Sequence, residues 1–201
     1  DAFAPLLAAA FTPPAGVPDH PAQRFRVQVA DRSLAQVNPM AALLLDLLRL
    51  PDGRVEASTL LDLCAQPALA QRFGFATDSR DRLVELVERA GIRWGLSAAH
   101  RDGYGLAGFP QNTWFAGLQR MLLGVALGET DLVAAGTVLP LDDVESSDVA
   151  LVGGLTELVG RLSRLMADLG KPATLSEWAD RCRAGLSDLV ELPPGQEWQL
   201  G

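Results

Sequence analysis

The sequence predicts a mainly α-helical chain with one leading strand that belongs to a neighbouring α/β unit, and three observations predict it. Leu151, Leu155, Leu158, Leu162, Leu165 and Leu169 recur at alternating spacings of four and three, the pattern of a helix seam. Helix punctuation is frequent, from Pro39 in a first turn to the Thr174, Leu175, Ser176, Glu177 capping box. Against this, only "RFRVQVA" at residues 24–30 alternates apolar Phe25, Val27 and Val29 with polar neighbours as a half-buried strand does. One strand cannot make a sheet, so it must pair with chain outside this segment or with an irregular edge inside it.

Taken in order, residues 3–11 read as the end of a short helix stopped by Pro13 and Pro14. After the strand and a hinge, "MAALLLDLLRL" is a helix apolar enough to be packed on most sides. "PDGR" turns the chain into a second helix near residues 56–66, carrying Leu60, Leu61, Leu63 and Cys64. A short helical piece ends at Gly74, and Asp78 caps a helix whose Leu83, Leu86, Val87 and Ala90 share a face before Gly91. Asn112 is the expected cap of a helix bearing Trp114, Leu118, Met121, Leu122 and Val125. An acidic connection leads to the leucine-seam helix, which is too short for a coiled coil and belongs inside a bundle. The last helix is expected to bury Leu175, Trp178, Cys182, Leu186 and Leu189 before Pro193 and Pro194 close it. The resulting division is a strand and hinge at 1–38 and a helical bundle at 39–201. Asp1 in place of a methionine, with a strand soon after it, reads as a piece of a longer protein.

With 201 residues, 48% of them hydrophobic, the chain can bury a substantial core. No apolar run approaches the ~18 residues of a membrane span. Cys64 and Cys182 lie among apolar residues without a nearby partner and read as reduced core thiols, and neither His20 nor His100 adds a metal motif. The net charge of −8 argues against a free-standing nucleic-acid binder, since affinity for phosphates rests on clustered positive charge.

Familiar catalytic patterns fail on context. Gly103, Gly105 and Gly108 form a G-x-G-x-x-G string, but it follows "SAAHR" rather than a strand and does not open a helix, so it reads as loop. The chain's one lysine, Lys171, stands in "GKP" and lacks the phosphate-loop pattern. Asp142, Asp143, Glu145 and Asp148 lack calcium-loop spacing and read as a solvated acidic loop before a helix. No catalytic residue, cofactor site or metal site is assigned. Arg93, Trp94, Trp114 and Arg120 remain as an aromatic and basic mixture of the kind that stacks on bases and holds phosphates, although tryptophans beside helix ends also anchor buried joints.

The succession "VADRSLAQVNPMAALLLDLLRLPDGRVEASTLLDLCAQPALAQRFGF", "GIRWGL", "NTWFAGLQRMLLG", "LPLDDVES" and "LSEWADRCR" resembles the RecC family, the gamma chains of exodeoxyribonuclease V, over nearly the whole chain. The resemblance implies an internal fragment of a helicase-like subunit that has lost its ATPase motifs: a strand and hinge of an α/β domain, then the helical (2B-like) insertion of superfamily-1 helicases. It implies a bacterial, cytoplasmic RecBCD complex with RecB-like and RecD-like partners that use ATP and magnesium, acting on double-stranded DNA ends and single-stranded DNA in hotspot-dependent break repair. Arg93, Trp94, Trp114 and Arg120 are its candidate DNA-binding residues. The other expectation is an architectural module whose apolar helix faces dock on partner chains without touching DNA.

Overall fold

In a computed structural model of the chain, residues 38–127, 138–196 and 199 are described. The strand expected at 24–30 and the helix end at 3–11 lie outside them. The chain divides into two compact units, 1–42 and 43–201. In the first, Asn38 accepts hydrogen bonds from the Met40 and Ala41 N–H groups and opens helix α1, Pro39–Arg49.

In the second unit α1 runs on from Leu43, followed by α2 (Ala57–Cys64), α3 (Pro67–Phe73), α4 (Arg80–Arg89), α5 (Trp114–Leu127), α6 (Val149–Leu169) and α7 (Leu175–Leu189). Short 3-10 turns stand at Thr77–Ser79, Ala99–Tyr104 and Ser146–Asp148. Among the described residues the β-structure is a single antiparallel bridge between Glu56 and Trp94. The helical reading therefore holds. None of the described helices is long and apolar enough to cross a membrane.

The 21-residue α6 is the axis, packed against α7, α5 and α3, while α2 packs on α3 and α4. Its buried face is Val152, Leu155, Leu158, Val159, Leu162, Leu165 and Met166. That stripe is wider than a coiled-coil seam and is what a helix surrounded in a bundle needs. α6 meets α3 closely because Gly154 has no side chain: a Cβ there would stand 2.3 Å from the Phe73 carbonyl oxygen. Cys64 and Cys182 are free, buried thiols, and burial pushes the Cys64 thiol up to about 12.

Several expectations of detail are corrected. α1 buries Leu43, Leu47 and Leu50 but exposes Leu45, so within this unit it is one-sided rather than packed on most sides. Leu122 is exposed on α5, and Leu175 is 83% exposed at the start of α7, where Trp178 is also solvent-facing. Residues 171–180 are all exposed, because the first turns of α7 have nothing among the described residues packed over them. Asp78 sits inside the 3-10 turn and does not cap α4, whose N-cap is Ser79. The capping box of α7 forms as the sequence predicts: the Glu177 N–H donates to Thr174 Oγ1 and the Thr174 N–H to Glu177 Oε2.

Candidate functional site

The segment from Gly91 to Trp114 leaves α4, crosses to the chain before α2, loops out and returns to start α5. Backbone bonds fix the crossing. The Ala57 N–H donates to the Arg93 carbonyl at 2.8 Å, the Gly95 N–H to the Arg54 carbonyl at 2.8 Å, and the Trp114 N–H to the Gly95 carbonyl at 2.9 Å. Trp114 is fully buried, and its indole N–H donates to the Val55 carbonyl at 3.1 Å. That bond satisfies the one polar group a buried tryptophan carries.

Arg101 organises the loop. It is 4% exposed, and its guanidinium donates to four backbone carbonyls: Phe109 and Gln111 from Nη1, Trp94 and Asn112 from Nη2. It also lies over the Trp94 ring, 4.3 Å from the centroid. With no carboxylate as partner among the described residues, the buried charge is held by carbonyl dipoles and a π face, and desolvation lowers its pKa. The neighbouring His100 is likewise pulled down, by burial first and by the Arg101 charge second. Gly95, at φ +75, leaves the room Arg101 needs, since a Cβ there would meet Arg101 Nε at 2.9 Å.

The structure separates the four residues expected to touch DNA. Trp114 is wholly internal. Arg120 is half-buried and donates to the Ala90 carbonyl at 2.9 Å and the Leu139 carbonyl at 3.0 Å, so its donors tie α5 to neighbouring loops. Trp94 is half-buried and Arg93 exposed, and the Arg93 guanidinium makes no hydrogen bond or ion pair among the described residues. Asn112 does not cap α5. It takes a left-handed φ of 61 and donates its side-chain amide to the Gly91 carbonyl at 2.6 Å, while Thr113 Oγ1 accepts from the Ala116 N–H at 3.3 Å.

Two exposed groups join Trp94 that the sequence did not single out. Tyr104 meets the Trp94 ring edge-on, with centroids 5.3 Å apart at 80°. Arg54 stands 5.6 Å from both ring centroids. Arg54 lies in a "PDGR" turn and Tyr104 in a glycine-rich loop, and no local spacing announces that the Glu56–Trp94 bridge brings them together. The Gly103 to Gly108 string is part of that loop, with Gly105 at φ +72.

The acidic connection is more built than a solvated loop. Asp148 is 2% exposed and receives Arg82 Nε at 2.9 Å and Nη2 at 2.5 Å, along with the Glu145 N–H at 2.9 Å. Arg89 reaches Asp143 Oδ2 at 2.7 Å. Among the described residues no group of three or more His, Cys, Asp or Glu side chains is placed to hold a metal ion.

A family model described as the RecBCD enzyme subunit RecC fourth domain matches residues 37–201. The chain belongs to the RecC fourth-domain family. Curated relatives agree: it is 40% identical over 99% of its length to "RecBCD enzyme subunit RecC" of Mycobacterium tuberculosis (strain CDC 1551 / Oshkosh), covering 18% of that protein. The same-named protein of Mycolicibacterium smegmatis is 39% identical over 94% of the chain, and that of Escherichia coli (strain K12) 33% identical over 91%, with 18% and 16% of those RecC proteins covered. The chain thus spans under a fifth of the RecC relatives it matches. Within the RecC fourth domain, the matched region takes in every described residue of the joint.

Proposed function

We propose that this chain is a non-catalytic helical segment of a RecC-type subunit, acting within a RecBCD-type helicase-nuclease on broken DNA ends. In this reading residues 1–38 belong to a helicase-like α/β domain and 39–201 form its 2B-like helical insertion. RecB-like and RecD-like chains supply ATP- and magnesium-dependent work in the bacterial cytoplasm, and the segment supports end binding, strand separation and hotspot-dependent recombination. The observation that carries the reading is the match to the RecC fourth domain over residues 37–201, together with relatives named as RecBCD subunits. Direct DNA contact falls to the exposed Arg93 and the half-buried Trp94, rather than to Trp114 and Arg120, whose polar atoms are used inside the fold.

The test is fluorescence anisotropy of a forked duplex with the intact complex, comparing the native subunit with Arg93→Ala over a range of salt. Arg93→Ala should weaken binding and flatten the salt dependence by about 0.9 log unit per log unit of salt, the value for one phosphate contact on duplex DNA. Unchanged affinity and slope would remove Arg93 from the DNA path. That result would favour the architectural reading, which has support of its own: an apolar groove on α5 and α6 is lined by Phe115, Leu118, Leu122 and Leu123, with Phe115 and Leu122 each 42% exposed.

A further inference from the structure

We propose that Arg54, Trp94 and Tyr104 form a stacking platform for unpaired nucleobases, with Arg101 as the residue that positions it. The inference rests on the function proposed above and names the ligand that its outward-facing site takes.

Three observations combine. The platform is aromatic and open: Tyr104 is 43% exposed, and Phe109 on the same loop is 58% exposed. Its cation has donors to spare, because the Arg54 guanidinium makes the two ring contacts and no hydrogen bond or ion pair among the described residues. Its orientation is fixed from behind, since Arg101 lies on the Trp94 ring and bonds the Trp94 and Phe109 carbonyls. A planar guanidinium beside an exposed ring offers an incoming base a face and a stacking partner, and binding of this kind tolerates any base.

Local charge selects unpaired bases over duplex. Glu56 and Asp102 are exposed beside the platform and form no ion pair among the described residues, so they offset much of the positive charge of Arg54 and Arg93. The phosphate attraction that dominates duplex binding is correspondingly reduced at the platform, leaving Arg93 as its outlying phosphate contact. Stacking asks instead for exposed base faces, which paired DNA hides. The ligand is therefore single-stranded DNA, bound with weak salt dependence.

The experiment uses the intact complex and two probes: an oligonucleotide carrying 2-aminopurine in a single-stranded overhang, and a fully paired blunt duplex. In the native complex the 2-aminopurine fluorescence should be quenched on binding. Tyr104→Ala should restore the fluorescence and weaken single-strand binding about tenfold, within the range for a lost base stack. Tyr104→Trp should retain both, and blunt-duplex affinity should stay the same. Because Tyr104 is a partly exposed loop residue, near-ultraviolet circular dichroism should show Tyr104→Ala folded. Arg101→Lys should raise 2-aminopurine mobility without touching the strand itself.

Unchanged quenching and affinity in Tyr104→Ala would overturn the platform while leaving the proposed function intact. Equal losses on overhang and blunt duplex would overturn it too, as would a loss of partner subunits on purification, which would mark the surface as a protein contact. A native complex that binds neither probe would overturn the function proposed above, and the platform with it.

Discussion

The α6–α7 packing and the joint at 91–114 each have a buried centre, yet the two centres are held by different forces. α6 and α7 pack on each other with Leu165 of α6 against Gly185 of α7, and the buried residues of the two helices are apolar, among them Leu155, Leu158, Leu162 and Leu165 on α6 and Cys182, Leu186 and Leu189 on α7. Polar ties are confined to the rim, such as Arg161 to Asp188 and Arg181 to the Asp168 and Lys171 carbonyls. At the joint, side-chain donors go to backbone: the Arg101 Nη atoms to four carbonyls, Trp114 to Val55, and half-buried Arg120 to Ala90 and Leu139. Apolar packing is non-directional and tolerates exchange of side chains of similar volume, whereas a hydrogen-bonded loop loses its partners when one donor goes.

That difference yields matched substitutions. Arg101→Met keeps much of the volume at the joint but removes every donor. It should cost about 3 kcal/mol, since a buried polar group left without its partner costs about 1–3 kcal/mol, whereas the Asn112 carbonyl keeps the Arg93 N–H at 2.9 Å and water reaches the exposed Phe109 and Gln111. A lower denaturant midpoint at unchanged slope is the expected result. A loss under about 1 kcal/mol would mean that the carbonyls find other donors, and the contrast would fail.

The Asp148 clasp lies between the two cases, a buried polar link joining α4 to the start of α6. Hydrogen bonds from Arg82 hold the Asp148 carboxyl below the usual carboxylate range, against its burial. A carboxyl with a lowered native pKa adds stability that is present above the unfolded value of about 3.9 and is lost as pH falls through the native value. Asp148→Asn should therefore destabilise the chain by about 2 kcal/mol at neutral pH, below the ~3–5 kcal/mol of a fully buried pair broken on one side, because Arg82 keeps a quarter of its side chain in solvent. It should also flatten the acid limb of the stability curve below about pH 4, measured by thermal unfolding across pH. An acid limb of native steepness would remove Asp148 as its source.

Leu158→Met, the counterpart of Arg101→Met, should cost under about 1.5 kcal/mol, because a volume-conserving exchange in an apolar face leaves no polar group unmet. Denaturant unfolding of the two variants side by side sharpens the comparison. Equal losses would show that volume and shape, rather than hydrogen bonding, limit the joint.

The same contrast explains what could be read from the sequence. Leucine periodicity located α6, and the Thr174–Glu177 pattern located the start of α7, because both signals are local and repeat along one helix. The joint carries no period. Arg101 sits in "SAAHRDGYG", where its polar neighbours suggest an exposed loop, and only the return of residues 109–112 surrounds it with carbonyls. Trp94 and Trp114 look alike in sequence, yet one reaches the surface and the other is sealed. Arg54 met Trp94 through a bridge between segments 38 residues apart, which no local spacing encodes.

Leu175 marks the opposite limit, where a helical period misleads. Its spacing from Cys182, Leu186 and Leu189 places it on the buried face of α7, yet it is 83% exposed because α7 begins before anything among the described residues packs over it. In this chain Leu175→Ser should change stability by less than about 0.5 kcal/mol, as surface substitutions do. The same substitution in a full-length RecC-type subunit gives the sharper reading. A loss of about 1.5 kcal/mol or more there, absent from this chain, would show that another part of the subunit buries the leucine. Equal and negligible effects in both would leave the first turns of α7 as solvent-facing surface, and the periodicity that suggested burial would owe its regularity to Cys182, Leu186 and Leu189 alone.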